Sequence, residues 1–367
     1  MSTAAIDPGS RLREPPVRFP HHPIRVVSFD PSQSDAWRGY VDGHPDGTLF
    51  HGLDWKQAVE RSFGHRFQGF LAHRNEKMAG VLALYEVRSL FAGRILVSVP
   101  YATYGGILGD DESTCGALFQ AATDLCRRRG ARSIELRSSR EMIDSLPVSH
   151  SHATFVRELP ARKNDVDAIL PRKARAAARR AGEKHDLVCE FDNAAMPTMW
   201  DLYSRSMRRL ASPNYPRKFF DELAAALPDR HIVQIVRCHG RAVAGLLSFL
   251  HRDRMMPYFV GLDERADVYG LSHFLYLESM RWAVERGLRV YDFGRSRIDN
   301  PGPFEFKRLC GFEPTPLGYQ TYVAPGRIAA DLSPTSARWS AARRIWKFMP
   351  LAMTRPLGGW ISKSIPG

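Results

Sequence analysis

The sequence has no run approaching the roughly 18 apolar residues of a membrane-spanning helix, so no such helix is expected. None of its five cysteines, Cys115, Cys126, Cys189, Cys238 and Cys310, forms a C-x-x-C pair. That spacing argues against a zinc ribbon and a disulfide framework alike, and reduced thiols in a cytoplasmic protein are the expectation. The N-terminal residues carry Arg11, Arg13 and several prolines but no apolar signal core, so residues 1–23 read as a disordered leader. His21, His22, His150 and His152 lack a carboxylate or cysteine partner at ligand spacing. They read as surface loop residues, and no metal is expected. Acids are also in short supply, with 39 Asp and Glu against 52 Lys and Arg, a formal charge of +13. The excess implies a partner of opposite sign: nucleic acid, anionic lipid or a phosphate-bearing substrate.

What is present fits a globular protein, 44% hydrophobic and 25% charged over 367 residues, enough for two domains of about 150 residues each. The chain says nearly the same thing twice. "HRFQGFLAHRNEKMAGVLALYEV" (65–87) and "RHIVQIVRCHGRAVAGLLSFLHR" (230–252) each give two alternating apolar segments around a turn, at Asn75-Glu76-Lys77 and at His239-Gly240. Downstream, "ALFQAATDLCRRRGARSIELRSS" (117–139) and "FLYLESMRWAVERGLRVYDFGRS" (274–296) each give a helix, a stop at Gly130 or Gly287, and a strand. Aligned on those glycines, Glu135 matches Asp292 and Leu136 matches Phe293. A crossover helix feeding a strand requires parallel pairing, so the pattern predicts a duplicated α/β unit. The expected domains are 24–165 and 187–326, joined by 166–186 and followed by a tail, 327–367.

The connector "LPRKARAAARRAGEKHDL" (170–187) divides at 100° per residue into an alanine stripe and an arc holding Arg172, Lys173, Arg175, Arg179, Arg180 and Lys184. That arc is either a solvated face or a rail for phosphates, tRNA among them. From Pro334 onward the tail carries Arg338, Arg343, Arg344, Lys347, Arg355 and Lys363 and no acid. Trp339, Ala342, Ile345, Trp346 and Met349 share its apolar side. The tail therefore either lies on an anionic membrane surface, through 338–363, or packs on the second domain.

The stretch "YDFGRSRIDNPGPFEFKRLCGF" (291–312) ends a strand at Gly294 and then places Arg295 and Ser296 before a short helix. An acid, a cation and a hydroxyl at a sheet end could polarise a carbonyl or hold a phosphate, although charged strand-to-helix junctions are common. The residues Asp292-Phe293-Gly294-Arg295-Ser296, Gly302-Pro303, Phe306-Lys307, Gly311-Phe312, Tyr319 and Tyr322, with "SVPYATYGG" (98–106), resemble the FemAB-type branch of the GNAT acyltransferases, specifically those associated with exosortase/PEP-CTERM and exopolysaccharide systems. The resemblance covers about residues 25–325. One position departs, Cys310 standing where that family usually has Trp.

The resemblance implies two tandem GNAT-like domains, mixed sheets flanked by helices, and a catalytic second domain. It implies transfer of an acyl group to an amine, on a cell-envelope or exopolysaccharide precursor, with acyl-CoA or aminoacyl-tRNA as donor. Asp292 would orient or deprotonate the amine, Arg295 would hold an anionic group, and Lys307 would face the carbonyl. Tyr104, Ser296, Phe306 and Tyr319 are the expected substrate contacts. Arg265, Tyr269, Gly270 and Ser272 stand where GNAT enzymes hold coenzyme A, but the glycine-rich spacing is absent. Tyr269 and Tyr276 either stack on a donor or belong to the core. Two alternatives stay open: an aminoacyl-tRNA-dependent ligase acting on a peptidoglycan precursor, and a non-catalytic assembly module held at the membrane by the tail.

Overall fold

The computed structural model describes residues 23–328 and 340–366. The expected leader up to residue 22, and Arg338 and Trp339 of the tail, lie outside the described residues.

The first half contributes β1 (Arg25–Ser28), α1 (Ser34–Gly43), α2 (Leu53–Phe63), β2 (Arg66–Arg74), β3 (Lys77–Ser89), β4 (Gly93–Val97), β5 (Leu108–Gly109), α3 (Glu112–Arg129), β6 (Ser133–Ser138), β7 (Val148–Ser149) and β8 (His152–Glu158). Two connecting helices follow, α4 (Val166–Ile169) and α5 (Arg172–Lys184). The second half contributes β9 (Leu187–Phe191), α6 (Met196–Arg209), α7 (Arg217–Ala226), β10 (His231–Cys238), β11 (Arg241–His251), β12 (Arg254–Leu262), α8 (Leu271–Glu285), β13 (Val290–Arg297), α9 (Pro301–Leu309), β14 (Pro314–Pro316) and β15 (Gly318–Val323). The tail holds α10 (Ser340–Phe348) and α11 (Leu351–Ser362).

The duplication read from the sequence is present. In each half two helices precede an antiparallel hairpin, β2–β3 or β10–β11, whose turn residues adopt left-handed conformations at Asn75 and Glu76 or His239 and Gly240. A third strand, β4 or β12, follows antiparallel, and a helix then crosses to a strand that lies parallel to it, β6 or β13. The parallel pairing is brief in both copies. It covers Leu96–Val97 against Ile134–Glu135 and Arg254–Met255 against Val290–Tyr291, after which the strands diverge.

The sheets do not divide where the chain does. The first sheet runs β1-β2-β3-β4-β6-β15-β7, with β5 on β3, and the second runs β14-β8-β13-β12-β11-β10-β9. β15, late in the chain, pairs with β6 of the first half, while β8, which precedes the connector, pairs with β13 of the second. Each half thus lends a strand to the other's sheet, and the expected borders at 165 and 187 fall inside this exchange. His152 accordingly opens β8 and lies half-buried 5.4 Å from the Tyr319 ring, in place of the expected surface loop. Burial pulls its imidazole down to about 3.

One hydrophobic core spans both halves, joining Trp37, Phe50, Trp55, Tyr85 and Tyr101 to Phe219, Phe249 and Phe259. Trp55 meets Phe219 and Phe249 edge-on at 5.9 and 5.6 Å, the arrangement an aromatic quadrupole favours. In α5 the alanine stripe Ala174, Ala177, Ala178 and Ala181 is buried, and Arg172, Lys173, Arg175, Arg179, Arg180 and Lys184 are exposed, as the 3.6-residue period predicts. The tail packs on both halves: Arg355 pairs with Asp201 and lies 4.9 Å over the Trp200 ring, and Arg137 donates to the Pro366 carbonyl.

Candidate active site

The two halves meet at the segment following β4, "SVPYATYGG". Val99 and Tyr101 hold positive φ, 57° and 63°, which a β-branched or bulky residue adopts only when its surroundings demand it. Here five successive carbonyls accept side-chain hydrogen bonds. Arg137 donates to those of Val99 and Ala102, Trp55 to Pro100, Tyr258 to Tyr101 and Tyr319 to Thr103. The donors come from both halves, so the strained conformation is over-determined by the domain contact itself. Next along the chain, Gly105 and Gly106 bring the backbone against β6, where a Cβ on Gly106 would lie 1.8 Å from Ser138 Oγ.

That close approach shapes one wall of a cavity of about 340 Å³ between the halves. Its other walls are residues 45–48 with His51, the end of β6 from Ser138 to Arg140, Thr154 and Val156 of β8, the β11–β12 turn from His251 to Arg254, and Asp292. Asp292 is fully buried. Its Oδ2 accepts from Arg254 Nη1 at 2.9 Å, and its Oδ1 accepts from the Gly294 backbone N–H at 2.9 Å and the Tyr104 hydroxyl at 3.2 Å. The Gly294 N–H reaches back because β13 bulges there, with φ +67° at Gly294 and a register shift between Asp292 and Arg295. Thr154 Oγ1 lies 2.5 Å from the Tyr104 hydroxyl. Burial first, and the Asp292 carboxylate second, push the Tyr104 phenol well above its ordinary value, so it acts as a donor and not as a base.

Arg254 is half-exposed and gives one nitrogen to Asp292, leaving guanidinium N–H groups toward the cavity. Ser138, 4% exposed, lines the same cavity, and its hydroxyl has no hydrogen-bond partner among the described residues. Buried hydroxyls are normally paired, so this one suits a polar ligand. His51 is satisfied by Thr48 and by the Gly106 carbonyl, and burial draws it down to about 4.

Of the residues nominated from sequence, Asp292 and Tyr104 come together here. Lys307 does not line the cavity. Its ammonium donates to the Gly294 and Arg295 carbonyls, both at 3.0 Å, and lies 5.3 and 5.5 Å over the Phe155 and Phe293 rings. It thereby braces the bulge from behind instead of facing a substrate carbonyl. Arg295 donates to the Tyr319 hydroxyl at 3.0 Å and lies over that ring, and Ser296 is buried with its hydroxyl unpartnered among the described residues. Phe306 packs against Tyr276 at 5.6 Å, and Tyr276 against Phe293 at 4.5 Å, which places Tyr276 in the core. The expected donor residues lie at the far end of β12, about 26 Å from Arg254 at 3.3 Å per residue. There Tyr269 is 68% exposed, and Arg265 rims a small cleft with Arg205, Arg208 and Arg209. Ser272 stands in the first turn of α8, whose N-cap Gly270 offers no side chain. Gly270 has a reason apart from any ligand, because a Cβ there would meet the Ala177 carbonyl of α5 at 2.3 Å.

The candidate site therefore lies at the contact of the two halves, with walls from both. Arg254, Thr154 and Ser138 escaped the sequence reading. The signal at Arg254 was a polar hairpin turn, His251-Arg252-Asp253-Arg254, which reads as solvent until β13 is laid beside it.

Comparison with known proteins places this geometry. Residues 170–308 match the family model for an acetyltransferase (GNAT) domain. No curated protein matches the sequence. Among solved structures, FemX is similar at 13% identity and TM-score 0.60, over 81% of this chain and 97% of its own. A tandem GNAT protein from the clavulanic acid biosynthesis pathway is similar at 12% identity and TM-score 0.54, over 82% and 98%. A conserved protein of unknown function from Bacteroides thetaiotaomicron is similar at 10% identity and TM-score 0.51, over 81% and 98%. These likenesses establish the tandem GNAT fold, and residues 170–308 carry the match to an acetyltransferase (GNAT) domain.

Proposed function

We propose that this protein is an acyltransferase of the FemAB type, joining an acyl group to the amine of a cell-envelope or exopolysaccharide precursor held in the cavity between the halves. The observation that carries the reading is the polar wall formed by Arg254, Asp292, Tyr104 and the unpartnered Ser138 hydroxyl. A cavity of about 340 Å³ with one oriented cation and free hydroxyl capacity suits a sugar-sized acceptor bearing an anionic group. In the reaction the amine nitrogen bonds to the acyl carbon as the bond to the donor's sulfur or ester oxygen breaks. Of the two protons an ammonium must lose, one goes to the leaving group and the other to solvent. Arg254 supplies positive charge where an oxyanion or a substrate phosphate would lie. Asp292 and Tyr104 act through Arg254 by fixing its orientation, and Lys307 and Arg295 act one layer further back by holding the bulge.

The donor is acyl-CoA in this reading, approaching from the N-terminus of α8 along the gap where β12 and β13 diverge. A second donor, aminoacyl-tRNA, is favoured by one observation: the six exposed cations of α5. Thermal-shift titration with acetyl-CoA, longer acyl-CoAs and charged tRNA separates the two, since only a ligand of the native state raises stability. Arg254→Ala should lower kcat/KM toward an aminated acceptor by roughly two orders of magnitude and, because it strips the buried Asp292 of its cation, should also lower stability. Equal turnover in that variant would remove the cavity from the mechanism.

A further inference from the structure

The last helix, α11, is built inside out. Its residues Thr354, Gly358 and Ser362, small or polar, are buried against the protein. Met353, Leu357 and Trp360, at i, i+4 and i+7, face solvent at 51, 39 and 60% exposure. An apolar stripe at that spacing ordinarily marks the face a helix buries. The preceding helix continues the pattern, with Ile345 at 64% and Phe348 at 88% exposure. Thirteen large hydrophobic side chains are exposed among the described residues, and five of them fall within positions 345–360, so the patch is not ordinary surface scatter.

Its charge identifies the occupant. Arg343, Arg344, Lys347 and Lys363 accompany the stripe, and residues 340–366 contain no acid. A second copy of this chain would bring the same cations to the contact, whereas an anionic bilayer accepts apolar side chains and cations together. The platform is also firmly seated. The Pro366 carbonyl accepts from the Tyr101 backbone N–H at 2.6 Å and from Arg137 at 3.0 Å, and the Ser362 carbonyl accepts from the Tyr101 hydroxyl at 3.2 Å. Thus the patch is fixed to the segment that forms the cavity wall.

We propose that α10 and α11 form a docking face for an anionic lipid bilayer, on which Ile345, Phe348, Met353, Leu357 and Trp360 enter the headgroup boundary. The inference stands apart from the acyl-transfer reading, since no residue of α10 or α11 lines the cavity and the docking needs no donor or acceptor.

The test is co-sedimentation of the full chain with vesicles of phosphatidylcholine alone or mixed with phosphatidylglycerol. Binding is expected only to the mixed vesicles and should fall as salt is raised. A combined Phe348→Ser, Leu357→Ser, Trp360→Ser variant should lose it, as should Arg344→Glu, Lys347→Glu, Lys363→Glu, by roughly a hundredfold at about one charge's contribution per residue. All six side chains are exposed, and matched thermal unfolding of the variants shows that the fold is kept. A control, Leu90→Ser with Val188→Ser, removes exposed apolar groups elsewhere and should bind as the wild type does. Failure of the wild type to bind mixed vesicles would overturn the proposal, as would undiminished binding by either combined variant. Concentration-dependent dimerisation abolished by the serine variant would assign the face to a second copy instead.

Discussion

In the proposed mechanism Asp292 governs the site without reacting. Arg254, the Gly294 N–H and the Tyr104 hydroxyl all converge on it, so its main effect is to fix the positions of its donors. Lys307 is held as tightly, between two carbonyls and two rings, yet burial outweighs the pull of Asp292 and brings its ammonium from 10.5 down to about 7. Between those values the unfolded chain keeps a proton that the folded chain has shed. Stability should therefore rise with pH across that window, and the full cost of charging Lys307 is felt below about 7. Urea unfolding of the wild type and of Lys307→Met should show this rise in the first and its loss in the second. An unchanged slope in the variant would mean that the folded ammonium keeps its ordinary affinity for protons.

At the level of elements, α5 and α8 are held together by a backbone approach that no side chain could survive. Gly270 has φ +83° and lies over the Ala177 carbonyl, so Gly270→Ala combines a disfavoured conformation with a backbone clash. Overpacking of this kind costs about 1 to 3 kcal/mol, and more where backbone must move. The loss should appear in thermal unfolding without any donor present; if stability is unchanged, Gly270 belongs to ligand binding and not to packing. The elements that local pattern and turn chemistry specify were legible in the sequence: both hairpins, the glycine stops, the alanine stripe of α5 and the strand carrying Asp292. The exchange of β8 and β15 was not. Each is a short alternating segment that either sheet edge could accept, and only distant partners choose between them. Asp292 and Tyr104 could be found because each stands in a distinctive motif. Arg254 could not, because its role depends on Val290 lying opposite it in a parallel pair.

For the molecule as a whole, the exchange makes the two halves one folding unit in spite of their repeat. A fragment spanning 23–186 lacks β15, and one spanning 187–366 lacks β8, while the shared core is cut in both. Neither fragment alone should unfold cooperatively, whereas the two expressed together should regain a single transition; a cooperative 23–186 fragment would contradict this. The same arrangement bears on synthesis at the ribosome. β6 emerges early, but its β15 partner is not made until residues 318–323. At usual elongation rates the wait is on the order of tens of seconds, during which an unpaired strand edge stands open to other chains. Chaperone demand during translation should therefore fall on the first half, and should end only once residues 318–323 have been made.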